Sequence, residues 1–334
     1  MRKPVLMIPL LLVVFLIFRQ RDRAREGSRT KNQESTTLAP DVDTAGKDSA
    51  SLRDQLQKPT RVVIGDVELH YIEEGSGAPL ILLHGGQGDY RSWQLQMKAF
   101  ASDYRVISYS RRYHYPNNNL SIPTNHSAII DAADLKSFIE ALGLGPVHLV
   151  GVSYGAFTAL AFAIEHPELV RSLALAEPPV LQWAKTTARG KALYEDFLST
   201  AHEPAGKAFA AGDDEAAMRI FINRFDGPNA FDALPAERRK IVMQNARFFR
   251  AVTGSSDPFP DLSRKKAGQL SMPVLVMRGA NTKELDILVS EEVVKTIPGA
   301  EKAIIPNAGH SSFRQNPSAF NEAVLKFLQS QKKN

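Results

Sequence analysis

The chain has 334 residues, 43% of them hydrophobic and 23% charged, with a formal net charge of +5 and no cysteine. That composition suits a globular protein and excludes collagen-like and wholly disordered classes; without Cys there is no disulfide scaffold, thiolate metal site, cysteine nucleophile or lipoprotein anchor. The charge excess sits in the tail: residues 1–60 hold 11 Lys and Arg against 7 Asp and Glu, the remainder 30 against 29, so the body offers no basic face for nucleic acid.

Residues 4–18 form an unbroken apolar run, preceded by Arg2 and Lys3 and followed by Arg19, Arg21, Arg23 and Arg25. As a helix it would be roughly 22 Å long, short of a hydrocarbon core of about 30 Å. Its basic flank lacks the small residues of a cleavage site. Residues 1–26 are therefore expected to form an uncleaved, single-pass anchor in a bacterial inner membrane, with a cleaved signal and a secreted or periplasmic protein as the alternative. Residues 27–60 are rich in Ser, Thr, Asp, Lys and Gln, hold no aromatic residue and read as a flexible linker.

From Arg61 short β-branched runs alternate with amphipathic stretches. Arg61 to Ile64 and Val67 to Ile72, split by Gly65 and Asp66, predict a hairpin. Six more strands follow, at Leu80–Leu83, Val106–Tyr109, Val147–Val152, Val170–Ala176, Val274–Met277 and Lys302–Ile305. Mostly apolar strands separated by helices predict an α/β fold, a predominantly parallel eight-stranded sheet with helices on both faces. The helix Asp131–Leu142 aligns Leu135, Phe138, Ile139 and Leu142 on one side, and Ala319–Leu328 aligns Phe320, Val324, Phe327 and Leu328. Between the fourth and fifth of those six strands the β rhythm stops for about 90 residues, and helical patterns at Lys191–Leu198, Glu215–Arg224 and Glu237–Phe249 predict an inserted helical cap at about 181–270. The folded unit is then 61–330.

The strongest chemical signal is Gly151-Val152-Ser153-Tyr154-Gly155, at the end of a predicted strand and the start of a predicted helix. Glycines let a strand turn sharply into a helix without Cβ clashes, which lifts the Ser hydroxyl above the sheet. A hydroxyl barely ionises near neutrality, so a nucleophilic Ser153 requires a histidine base. Of eight histidines, His310 lies in a terminal loop that can return to Ser153. His84 reads as tying down its own loop, and His70, His126, His148, His166 and His202 as ordinary surface or interface residues. His114, within Arg111-Arg112-Tyr113-His114-Tyr115, is a candidate substrate contact.

The stretch from about Arg61 to Leu328 resembles the α/β-hydrolase superfamily, in its serine-nucleophile, capped, esterase and C–C hydrolase-like branch. Leu82-Leu83-His84-Gly85-Gly86 is similar to the family's oxyanion segment, residues 151–155 to its nucleophile elbow, and Asn307-Ala308-Gly309-His310 to its histidine loop. The resemblance implies Ser153 as nucleophile, His310 as base and the backbone N–H groups of Gly86 and Tyr154 as the oxyanion hole. Where the family usually carries its acid, this chain reads Arg278-Gly279-Ala280-Asn281-Thr282, without a carboxylate. Glu177, just past the preceding strand, is the favoured acid, with Glu284 or Asp286 as alternatives. Members that open epoxides or haloalkanes carry Asp at the elbow, so Ser153 points to acyl transfer: a small carboxylic ester or related acyl substrate, with lactone, amide or C–C cleavage beside it. No nucleotide or zinc motif is present, and no cofactor or metal is expected. A non-catalytic binding or scaffold protein on the same fold is the competing reading.

Overall fold

A computed structural model describes residues 57–331. Eight strands, β1 (Thr60–Ile64), β2 (Val67–Glu74), β3 (Ala78–Leu83), β4 (Tyr104–Tyr109), β5 (Val147–Val152), β6 (Val170–Ala176), β7 (Val274–Gly279) and β8 (Glu301–Ile305), form one sheet in the order β1-β2-β4-β3-β5-β6-β7-β8. β2 pairs antiparallel with β1 and β4, and every other pairing is parallel.

Alternation along the strands divides the core into two layers, because successive side chains point to opposite faces. On one face Ile81, Leu83, Leu149, Leu173, Leu175 and Val276 pack on helices α2 (Ala128–Ala141), α3 (Tyr154–Glu165) and α11 (Glu284–Thr296). On the other, Leu80, Leu82, Val106, Val150, Ala174 and Met277 meet α1 (Gln94–Ala101) and α13 (Pro317–Ser330). Every residue of β5 is buried. The strand that delivers Ser153 is thus clamped from both sides, each fully buried large side chain contributing about 1.5–3 kcal/mol.

Between β6 and β7 the chain runs through α4 (Leu181–Ala184), α5 (Ala188–Phe197), a π-helical turn (Leu198–His202), α6 (Glu203–Ala210), α7 (Asp214–Asp226), α8 (Ala236–Gln244), α9 (Ala246–Thr253) and α10 (Arg264–Ala267). The single helix expected over Glu237–Phe249 is two, broken at Asn245. This buried side chain accepts the Tyr115 N–H at 2.9 Å and donates to Asp89 Oδ2 and Ile241 O at 2.8 Å. An Asn that bonds to backbone groups competes with helix continuation, and here it also ties the insertion to the loops after β3 and β4. The last core helix before α13 is α12 (Ser312–Gln315).

One expectation is corrected. Residues 1–26 and most of the 27–60 linker lie outside the described residues, and among the described residues no helix is long and apolar enough to cross a membrane. The apolar run falls some five residues short of the roughly 20 that a spanning helix needs, so the anchor, its membrane partner and the inner-membrane location are not carried further.

Replacing Asn245 by Leu leaves the Tyr115 N–H without its acceptor. The expected loss is about 1–3 kcal/mol in urea unfolding, against less than about 0.5 kcal/mol for the exposed Lys240→Ala.

Candidate active site

β5 passes into α3 through one residue, Ser153, whose backbone sits at φ 52 and ψ −127. A non-glycine residue held there stores on the order of 1–3 kcal/mol. The surroundings enforce it: the Ser153 N–H donates to Ala176 O at 2.8 Å and the Phe157 N–H to Ser153 O at 3.0 Å. A Cβ on Gly151 would stand 2.7 Å from the Ala156 nitrogen, and one on Gly155 only 2.3 Å from Leu83 O. No side chain fits at either position, so the turn can be this tight only with glycine.

The loop between β8 and α12 brings His310 to this turn. Its Nε2 lies 3.0 Å from Ser153 Oγ and its Nδ1 2.6 Å from Glu177 Oε2. A carboxylate only accepts, so Nδ1 carries the proton and Nε2 is left to accept the hydroxyl. Glu177, 2% exposed and at φ 49, follows β6 directly. Its Oε1 accepts the Gly279 N–H and its Oε2 the Thr282 hydroxyl, both at 2.8 Å. Thr282 and Gly279 went unnoticed in the sequence, where this loop read only as lacking a carboxylate; the signal available was a hydroxyl in the segment that should have held the acid.

Burial works against the Glu177 carboxylate, but the hydrogen bond and charge of His310, with the Gly279 and Thr282 donors, outweigh it and hold Glu177 below its ordinary pKa. Burial also opposes the His310 imidazolium, yet Glu177, joined by Asp286 and Asp226, keeps His310 above the ordinary imidazole range. Of the two alternative acids, Glu284 is exposed and paired with Arg189. Asp286 stays near the imidazole, the donor atoms of Glu177, Asp286 and His310 all lying within 4.8 Å of one another. Glu177 already accepts three hydrogen bonds, one on Oε1 and two on Oε2.

Gly86 and Tyr154 border the same pocket as Ser153 and His310. Tyr154 opens α3, where the first N–H groups of a helix have no intrahelical acceptor. Gly86 is pressed against α9, a Cβ there falling 2.7 Å from Phe249 and 2.8 Å from Phe248. The preceding His84 is fully buried and bonds Gly85 O through Nδ1 at 2.8 Å, accepting the Arg111 N–H on Nε2 at 3.1 Å. Burial and the Arg111 charge lower its pKa to about 3, so the ring stays neutral. Arg111 also donates to His84 O and pairs with Asp131 of α2, fixing the segment from below. His114 is buried, stacked on Phe248 at 4.6 Å and edge-on to His84 at 4.4 Å, and is absent from the pocket lining.

The pocket opens to solvent at its mouth. Phe197, Phe221, Phe225, Phe248, Phe249 and Phe259 of the insertion line one part of it, with Arg224, Arg314 and Asp286 as its charged members. Phe225 stacks on His310 with ring centres 5.0 Å apart. Asp226 next to it accepts the Ser311 hydroxyl at 3.0 Å and Gln87 Nε2 at 3.3 Å. The end of α7 is thereby pinned over the imidazole.

The family model for the alpha/beta hydrolase fold matches residues 78–317, and the chain belongs to that family. Among its relatives, the candidate non-heme bromoperoxidase BpoC of Mycobacterium tuberculosis is 30% identical over 281 residues, 80% of this chain and 99% of that protein. The 2-hydroxy-6-oxo-6-phenylhexa-2,4-dienoate hydrolase of Burkholderia cepacia is 25% identical over 277 residues, 79% of this chain and 92% of the other. A thermophilic esterase from Thermogutta terrifontis superposes with a TM-score of 0.65 at 20% identity, over 82% of this chain and 99% of its own, a likeness of fold alone.

Gly155→Ala drives a methyl group into the Leu83 and His84 carbonyls. It is expected to lower unfolding stability by about 1–3 kcal/mol, whereas Gly145→Ala, with nothing within 4 Å, changes it by less than about 0.5 kcal/mol.

Proposed function

We propose that the protein is a serine hydrolase that cleaves a small carboxylic ester or related acyl substrate through an acyl-enzyme intermediate. The observation that carries this reading is the unbroken hydrogen-bond chain from Ser153 Oγ through His310 to Glu177, opening onto an apolar pocket. His310 takes the hydroxyl proton as Ser153 attacks the carbonyl carbon. The carbonyl oxygen gains negative charge next to the N–H groups of Gly86 and Tyr154, and donors aimed at that charge lower the barrier more than they stabilise the substrate. The imidazolium then protonates the leaving group, and water, deprotonated by the same ring, releases the acid. Glu177 holds the Nδ1–H tautomer and the developing imidazolium throughout.

A Ser nucleophile gives an acyl intermediate at a carbonyl carbon, which fits the esterase and C–C hydrolase names among the similar proteins better than the epoxide hydrolase also found among them. The phenylalanine wall suits a substrate with an aromatic or alkyl group and excludes water around the acyl carbon.

A fluorophosphonate probe is expected to label the protein, and Ser153→Ala to abolish both labelling and turnover of short aryl esters. Glu177→Gln should lower kcat by on the order of a thousandfold or more. Because only neutral His310 accepts the proton and its pKa is raised, kcat/KM is expected to climb with pH along a limb centred above 6.5. A folded protein that neither reacts with the probe nor turns over esters, lactones, amides or C–C substrates would leave the binding-protein reading standing.

A further inference from the structure

Asp286, in the first turn of α11, borders the pocket and has no part in the hydrogen-bond chain just described. Burial raises its pKa, and no hydrogen bond from another described residue offsets this; only charges act on it, those of His310, Glu177, Arg224 and Lys283. The carboxylate is half-buried beside the aromatic residues of the pocket, where a charge is less well screened than in water. Its oxygen lies within 4.8 Å of both the imidazole nitrogen and the Glu177 oxygen.

We propose that Asp286 is a second carboxylate partner of His310, a positioning residue that shares with Glu177 the task of stabilising the imidazolium. The proposal rests on the serine-hydrolase reading for its catalytic meaning, but its physical content is the interaction itself. Glu177 fills the Nδ1 position with a hydrogen bond, and Asp286 acts through space from the helix that follows β7. The strand whose loop lacks a carboxylate in the usual place thus supplies one a turn further on.

The groups facing the imidazole come from four directions. Glu177 stands at the end of β6, Asp286 on α11, Asp226 at the end of α7 through Ser311, and Arg314 of α12 donates to that same Ser311 at 3.0 Å. Asp286 in turn faces Arg224 of α7 and Lys283 just before its own helix. These two cations weaken its effect on His310 without pairing with it. At a pH where Asp286 is ionised, His310 carries two nearby negative charges and gives up its proton at higher pH than Glu177 alone would require. Once Asp286 is protonated at lower pH, that extra support is gone.

The test is a histidine titration in the full chain, labelled with 15N-histidine and followed by two-bond proton–nitrogen correlation, with the His310 signal assigned by its disappearance in His310→Asn. Asp286→Asn is expected to move the His310 midpoint down by about one pH unit, and Asp286→Glu to restore most of the shift. The acid limb of kcat/KM on an aryl ester should move the same way. In a Glu177→Gln background, Asp286→Asn should remove about a further tenfold of the remaining rate. A His310 midpoint that stays in place in a folded Asp286→Asn protein, or a Glu177→Gln residual rate indifferent to Asp286, overturns the proposal. If Ser153→Ala leaves turnover intact, the hydrolase reading fails, and the titration still decides whether Asp286 acts on His310.

Discussion

The hydrogen bond between His310 Nδ1 and Glu177 joins positions 133 residues apart and exists only because β6, β7 and β8 lie side by side in one register. Ala176 pairs with Met277 and Gly279 with Ile305, so β7 and β8 end together two residues beyond the end of β6, and the loops that follow share one edge of the sheet. A slip of one residue would turn alternate side chains to the opposite face and would take the Gly279 N–H away from Glu177 Oε1. The site is therefore as rigid as the sheet beneath it, and its carboxylate is held by donors that do not depend on the histidine.

Two strained backbones meet at that edge, Ser153 at φ 52 and Glu177 at φ 49. Ordinary side chains avoid this region, and both are held there by strand hydrogen bonds, Ser153 N–H to Ala176 O and Glu177 N–H to Met277 O. The helical insertion is fastened to the same edge at two points, Asn245 on Asp89 and Asp226 on Gln87 and Ser311. Its phenylalanines consequently sit over Gly86 and His310 rather than elsewhere on the surface. The insertion supplies the aromatic residues of the pocket, while the Ser153, His310 and Glu177 hydrogen-bond chain stands on the sheet edge.

The central strands β3 to β7 were legible because a parallel sheet buried on both faces needs largely apolar runs, which stand out between amphipathic helices, and β1 and β2 because Gly65 and Asp66 mark a hairpin turn. Burial of polar residues was not. His126, His148 and His202, read as surface or interface residues, are buried; His148 bonds Ser172 at 2.7 Å and His126 stands edge-on to Tyr113. A histidine looks the same in a sequence whether it meets water or a ring. The break at Asn245 was equally hidden, since the groups that draw its side chain out of the helix pattern lie 130 and 156 residues away.

The sequence by itself determined what depends on neighbours along the chain: the strand and helix periods, and the glycines that permit the turn at Ser153. Tertiary structure alone decided which carboxylates surround His310. Glu177, Glu284 and Asp286 have the same chemistry and comparable places after strands, but only strand register and the path of α11 put two of them beside the ring and leave Glu284 outside with Arg189. Electrostatic interaction falls with distance in space, and distance in space is what a linear order of residues does not contain.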